Sequence, residues 1–264
     1  AQASDINVLF TVMAIPWCFK MFYGCLSDCF PIGGLRRTPY LIIGWSVYVL
    51  SNILLFLIGK PSIEMTIFLV FIMTSAYMLA DVMTDALIVE RSFYEKEDEK
   101  GRLQSLGYVI RFFGSTVGAT LGAVIYNKGE WAYYLDIKYV FLLNGVLVLF
   151  LIFPFFPFLI ELTRECTNKP LGDQWLDIFE SVQLRAVYQP MLFVYIFNAL
   201  QLSNAAWMPF LVEGLGFSAF QIGLLGIVGS LFTWVGIMVY KKYFFESSWR
   251  IVFVTCSSVN IIVG

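Results

Sequence analysis

Three charged residues, Lys20, Asp81 and Arg111, lie inside stretches that are otherwise apolar, and their types suit the handling of a charged solute or a proton. At the centre of a lipid-embedded helix each would cost roughly 3 kcal/mol, so together they oppose insertion by ~9 kcal/mol unless paired or wetted. They are therefore expected to face the interior of a bundle. With a rise of about 1.5 Å per residue, each falls ~5 to 6 Å to the same side of its helix midpoint, so three helices can bring them to one cavity. Their charges sum to a single positive, which suits an anionic solute. Asp85 follows Asp81 by one turn on the same face and is a candidate proton-binding carboxylate or gate partner. Two readings stand side by side: a substrate or coupling site, and ion pairs that only hold the bundle together.

A second constellation is the turn running from Gly24 through Ser27, Asp28, Pro31, Gly33 and Gly34 to Arg36 and Arg37. Small residues allow helix ends to approach, Asp28 can hold a helix N-terminus or a cation, and the glycine pair makes a tight turn. Glu90 and Arg91, at the end of a later apolar run, are expected to join this turn as clasp residues. A polar turn that only sets topology is the competing reading. Gly114, Gly118 and Gly122 recur every fourth residue and predict a flat face for close helix packing. Asn198, Gln201 and Asn204, beside Trp207, put amide and aromatic groups on one broad helix face, for solute contacts or for interhelical hydrogen bonds.

The elements that must carry these residues are membrane helices. The chain is 59% hydrophobic and only 14% charged, with a mean hydropathy of +0.77, far from the roughly one quarter charged of soluble domains. Apolar runs predict spans near 6–28, 39–59, 64–90, 103–126, 138–161, 188–213, 218–241 and 249–264, about eight in all. The segment 163–187 is polar, but Trp175, Ile178, Phe179 and Val182 follow helical spacing after an expected cap at Asp173, which predicts an amphipathic surface helix. Phe150 to Phe158, with Pro154 and Pro157, reads as a kinked, lipid-facing helix end without chemistry, and Glu95 to Lys100 as a solvated loop.

Outside the spans, twelve Lys and Arg residues collect on one side of the bundle and three, Lys60, Lys128 and Lys138, on the other. Basic loops stay in the cytoplasm, so the first span is expected to run inward, as in a fragment that starts at the second helix of a longer bundle. The net charge of −2 offers no field for nucleic acid. Histidine is absent and Cys18, Cys25, Cys29, Cys166 and Cys256 lack paired ligand spacing, so no metal, cofactor or disulfide is expected. Any proton coupling must then use carboxylates.

The turn from Gly24 to Arg37 resembles the signature loop between the second and third helices of the major facilitator superfamily, where it forms a charge clasp. Pro16, Trp17, Lys20, Tyr23, Gly24, Ser27, Asp28, Pro31, Gly34, Arg37, Pro39 and Tyr40 resemble, more narrowly, its folate-biopterin transporter family. So do the run Asp81 to Arg91 and Gly101 to Ser105 with Arg111 and Gly114. Met21 departs from the family's Pro after the lysine and is expected to loosen a helix kink. The resemblance implies an all-α, truncated bundle holding the second to ninth of twelve helices. Residues 1–162 would form an N-terminal half lacking its first helix, 163–187 the cytoplasmic linker, and 188–264 the start of the C-terminal half.

The resulting expectation is an integral, multi-pass secondary transporter, not an enzyme, moving folates or related pteridines by alternating access and coupled to protons. Transport of another small organic anion is the alternative. A membrane-embedded prenyl-type transferase would need further acidic side chains beside Asp81 and Asp85 to converge on metal, and no second acidic cluster lies in a span.

Overall fold

The computed structural model describes residues 3–96, 101–125, 135–161, 171–200 and 207–263, and these are helical almost throughout. In chain order the elements are α1 (Ala3–Cys18), α2 (Lys20–Cys29), α3 (Thr38–Ile58), α4 (Ile63–Ser92), α5 (Arg102–Ile125) and α6 (Ile137–Leu151). There follow a 3₁₀ turn (Phe153–Phe158), α7 (Leu171–Gln183), α8 (Arg185–Leu200), the single-turn α9 (Trp207–Pro209) with a π-helical turn (Phe210–Gly214), α10 (Ala219–Val239), a further π-helical turn (Tyr240–Phe244) and α11 (Trp249–Val263).

Among the described residues, five helices are long and apolar enough to cross a membrane: Thr38–Ile58, Ile63–Ser92, Arg102–Ile125, Ile137–Phe158 and Phe220–Phe244. A sixth is obtained if α1 and α2 count as one span bent by 40°. The protein is thus an all-α, multi-pass membrane protein. Of the remaining expected spans, 249–264 appears as the 15-residue α11, and 188–213 includes residues outside those described.

The bend between α1 and α2 persists with Met21 in place. Phe19 leaves helical geometry at φ −94°, ψ 9°, and its amide bonds the Pro16 carbonyl three residues back at 3.2 Å. Pro16 lacks an amide and crowds the preceding turn, so the ladder is already disturbed there. Lys20 consequently opens a new helix.

The chain divides into two compact units, Ala1–Glu90 with Asp136–Gly216, and Arg91–Leu135 with Phe217–Gly264. In the first, α3 lies close against α4. A Cβ at Gly44 would stand 2.8 Å from the Ala76 carbonyl oxygen and 3.1 Å from the Ala80 Cβ, an approach that only glycine permits. A core of Tyr40, Leu41, Ala80 and Met83 seals this seam, and Phe156 and Leu159 pack onto it. The end of α6 is therefore anchored on protein and does not wholly face lipid, although Phe155 and Phe158 are exposed. Mid-span, the Asn144 amide donates to the Tyr48 hydroxyl at 2.6 Å, tying α6 to α3, while Asn52, fully buried, donates to its own helix at the Tyr48 carbonyl. These amides satisfy one another where water is excluded.

The amphipathic helix α7 begins at Leu171, so Asp173 sits in its first turn and not at the cap. There its charge still favours the positive helix end. Trp175 meets Phe22 of α2 edge-on, with ring centroids 5.7 Å apart, while Leu176 and Phe179 remain exposed.

In the second unit α5 and α10 pack antiparallel, Ala123 near the end of α5 against Gly223 near the start of α10, and Phe113 at the middle of α5 against Trp234 further along α10. Ser218 and Gln221 form a reciprocal cap on α10.

Candidate functional site

The break at Phe19 and the length of α4 bring two of the membrane charges together. Lys20 Nζ lies 2.7 Å from Asp81 Oδ2, an ion pair between α2 and α4. Asp81 is 8% exposed, set beside Ala80 and Met83, both fully buried, whereas a third of the Lys20 side chain is open. Lys20 Nζ also stands 4.6 Å from the centroid of the Trp17 ring. The ammonium is thus held between a carboxylate and an aromatic face, and its open side can take a second anion. Asp85 lies one turn further along α4 and is half-buried.

Arg111 belongs to the other unit, on α5, with its guanidinium carbon 5.5 Å from the centroid of the Tyr108 ring. Asn198 is exposed on α8 and donates to the carbonyl of Val194 in its own helix at 2.8 Å. Gln201 and Asn204 lie outside the described residues. A Cβ at Gly114, Gly118 or Gly122 would meet nothing within 4 Å; the close approach on α5 is at Ala123.

The turn between α2 and α3 is built around Arg37, which is only 8% exposed. Gly33 and Gly34 adopt φ of 61° and 80°, and Ile32 and Leu35 exchange two backbone hydrogen bonds across them. Positive φ at both central residues is what a tight type I′ turn needs. It returns the chain so that Arg37 Nη2 pairs with Asp28 Oδ1 at 2.7 Å and Arg37 Nε with Glu90 Oε1 at 3.0 Å. Arg37 Nη1 also donates to the Ser27 hydroxyl, which itself donates to the Gly24 carbonyl at 3.0 Å. One guanidinium thereby joins the end of α2, the start of α3 and the end of α4. A Cβ at Gly24 would meet nothing within 4 Å, so that residue contributes here through its carbonyl. Arg36 takes part through its amide, described next, and Arg91 closes α4 beside Glu90, an exposed cation in the last turn where the helix dipole favours it.

Two carboxylates escaped the sequence reading. Glu161 Oε1 accepts from the amides of Arg36 (2.7 Å) and Arg37 (3.0 Å), and Oε2 from the amide and hydroxyl of Thr38, each at 2.9 Å. It thus caps α3. Burial alone would raise its pKa, but the hydrogen bonds from Thr38, Arg36 and Arg37 outweigh that and hold the carboxyl below its ordinary value. Glu95 likewise caps α5, accepting from Gly101 N at 2.8 Å and Leu103 N at 2.6 Å, so this residue is not simply solvated. For Glu95 the sequence signal was an acid a short polar step before a helix start; Glu161, 123 residues from Thr38, had no such local signal.

The ion pair between α2 and α4 and the arginine-centred knot at the ends of α2, α3 and α4 are thus set in a multi-pass membrane protein. The family model described as the BT1 family matches residues 1–264, and the chain belongs to that family. It is 25% identical over 241 residues to Folate transporter 1 of Plasmodium falciparum, which covers 91% of this chain and 46% of that protein. It is 35% identical over 147 residues to Probable folate-biopterin transporter 4 of Arabidopsis thaliana, 54% of this chain and 28% of that protein. It is 23% identical over 262 residues to the Folate-biopterin transporter of Synechocystis sp., 98% of this chain and 51% of that protein. The chain spans about half the length, or less, of these curated relatives. No solved structure matches it.

Proposed function

We propose that the protein to which this chain belongs is a secondary transporter that carries folates or related pteridines across a membrane by alternating access, with protons coupled to the movement. The observation that carries this is the Lys20–Asp81 pair at 2.7 Å inside two spans, with Asp81 buried and Lys20 partly open. The names of the relatives supply the solute class and favour a transporter over a membrane-embedded transferase.

The chemistry runs as follows. A folate carboxylate entering the site competes with Asp81 for the Lys20 ammonium. Once Lys20 turns to the solute, buried Asp81 has lost its ammonium partner, and uptake of a proton offsets that loss. Proton uptake and solute binding thus favour each other, and release of either restores the pair. Asp85, one turn nearer the end of α4, is the proposed relay for that proton. Arg111 is the proposed second cation for the solute. Asn198, Gln201 and Asn204 are proposed to meet the hydrogen-bonding edges of the pteridine ring from the segment 188–264, with 163–187 linking it to 1–162. The knot of Ser27, Asp28, Arg37 and Glu90, with Gly24, Arg36 and Arg91, is the proposed gating clasp of a bundle of the major facilitator type.

The test is uptake of labelled folate and biopterin into vesicles containing the full-length protein, with and without a pH gradient, for the parent and for Lys20→Ala, Asp81→Asn and Arg111→Ala. The reading expects all three to insert normally and to lose uptake, with Asp81→Asn also losing the response to the gradient. Normal uptake in all three rejects the site. Uptake by the parent of unrelated organic anions in preference to folates rejects the solute class.

A further inference from the structure

We propose that Glu161 is a positioning residue of the clasp, the strut through which the end of α6 and the chain that follows hold Arg37 in register with Asp28 and Glu90. The inference rests on the gating role given to the clasp above, and it adds a part that the Gly24 to Arg37 motif does not contain.

The carboxylate uses both oxygens, and its four hydrogen bonds fall on three consecutive residues, Arg36, Arg37 and Thr38. The backbone of Arg37 is therefore held from one side by Glu161 while its guanidinium is held from the other by Ser27, Asp28 and Glu90. Charge-assisted hydrogen bonds of this kind are among the stronger ones available, and a fan of donors on one carboxylate also fixes direction. Glu161 reaches the turn because the 3₁₀ segment Phe153–Phe158 leads the chain back, with Phe156 and Leu159 seated on Tyr40, Leu41, Ala80 and Met83.

The chain beyond Glu161 attaches a second time to the same pair of helices. Trp175 of α7 packs on Phe22, two residues past Lys20 on α2. Glu161 thus holds the α2–α3 turn at the clasp, and α7 packs on α2 two residues from Lys20. Glu161 is the contact through which the chain after α6 reaches Arg37.

The experiment uses full-length protein in vesicles, in a background where Cys29, the neighbour of Asp28, is the single cysteine. Two quantities are read for the parent, Glu161→Gln, Glu161→Asp and Arg37→Ala: the rate of Cys29 modification by a membrane-impermeant maleimide, and the KM and maximal rate of folate uptake. Glu161→Gln is expected to raise the Cys29 rate roughly tenfold, in the same direction as Arg37→Ala, because it loses the charge and turns a donor toward donors. Its maximal uptake should fall by a similar factor with KM unchanged, and Glu161→Asp should recover part of both. A Cys29 rate within about twofold of the parent in Glu161→Gln overturns the proposal, as does a loss of thermal stability without any change in that rate. If the parent moves no folate, the transport reading fails, while the Cys29 comparison still decides the role of Glu161.

Discussion

Arg37 presents a planar fork of N–H donors: Glu90 and Ser27 accept from separate nitrogens of it, and the Asp28 carboxylate stands 2.7 Å from a third as a charge partner. Lysine at that position keeps the charge but has one compact ammonium, which cannot meet partners on two helices in fixed directions. Removing one partner of a fully buried pair costs ~3 to 5 kcal/mol, but the Asp28 and Glu90 side chains keep 32% and 28% exposure, so water softens the loss. Arg37→Lys is therefore expected to lower stability by about 2 kcal/mol, read by chemical unfolding in detergent micelles. The Glu161 carboxyl gives a pH signature with a definite sign. Its folded pKa lies below the ordinary 4.5, so its stabilisation is complete above 4.5 and is lost as pH falls through the lower folded value. The stability difference between the parent and Glu161→Gln should thus stay constant from about pH 8 to pH 5 and shrink below that range, in a series of melting curves. Any change in transport between those limits must then come from other groups.

Among the helices, glycines that look alike in the sequence have different duties. At Gly44 the α3–α4 contact has no space for a methyl group, since the Ala76 carbonyl would stand 2.8 Å away. Gly44→Ala must push two spans apart and is expected to cost ~1 to 3 kcal/mol, the range for overpacking. At Gly24 the same change meets nothing within 4 Å, so Gly24→Ala should leave the melting temperature within about 2 °C of the parent. The pair is a matched control: helix propensity favours alanine at both positions, so a loss confined to Gly44→Ala isolates the contact, and equal loss from both would refute it. Gly33 and Gly34 are constrained by backbone and not by space, because both have positive φ and open surroundings. Gly34→Val should weaken the turn by ~1 to 2 kcal/mol and free Arg37 from its register, visible as faster proteolysis of the α2–α3 connection.

For the molecule as a whole, the basic residues give a sidedness that can be mapped. Arg36 and Arg37, Arg91 and Lys96, and Lys241 and Lys242 are expected on the cytoplasmic side, with Lys60 opposite. Single cysteines at 60 and 96 in a cysteine-free full-length protein should therefore label from opposite faces of sealed cells. Labelling of both from one face would remove the topology on which the alternating-access reading depends.

Membrane class, the positions of most spans and the cost of leaving Lys20 and Asp81 in lipid were legible in the residues alone. Apolar length and the cost of a buried charge are local quantities, set by composition along a single helix. Ser27, Asp28, Arg37 and Glu90 could also be picked out as one group, because their types and the turn chemistry between them have few other uses. Partnership was not legible in the same way. Lys20 and Asp81 are 61 residues apart and Arg36 and Glu161 are 125 apart, and nothing in either local pattern encodes the other. The sequence does not single out Glu161, because the Phe- and Pro-rich run before it reads as a lipid-facing end. Only the packing of Phe156 and Leu159 on the α3–α4 seam turns that run back and carries the carboxylate to three waiting amides. Distance along the chain is erased by folding, so which charge meets which donor is a property of packed helices and not of the sequence read in order.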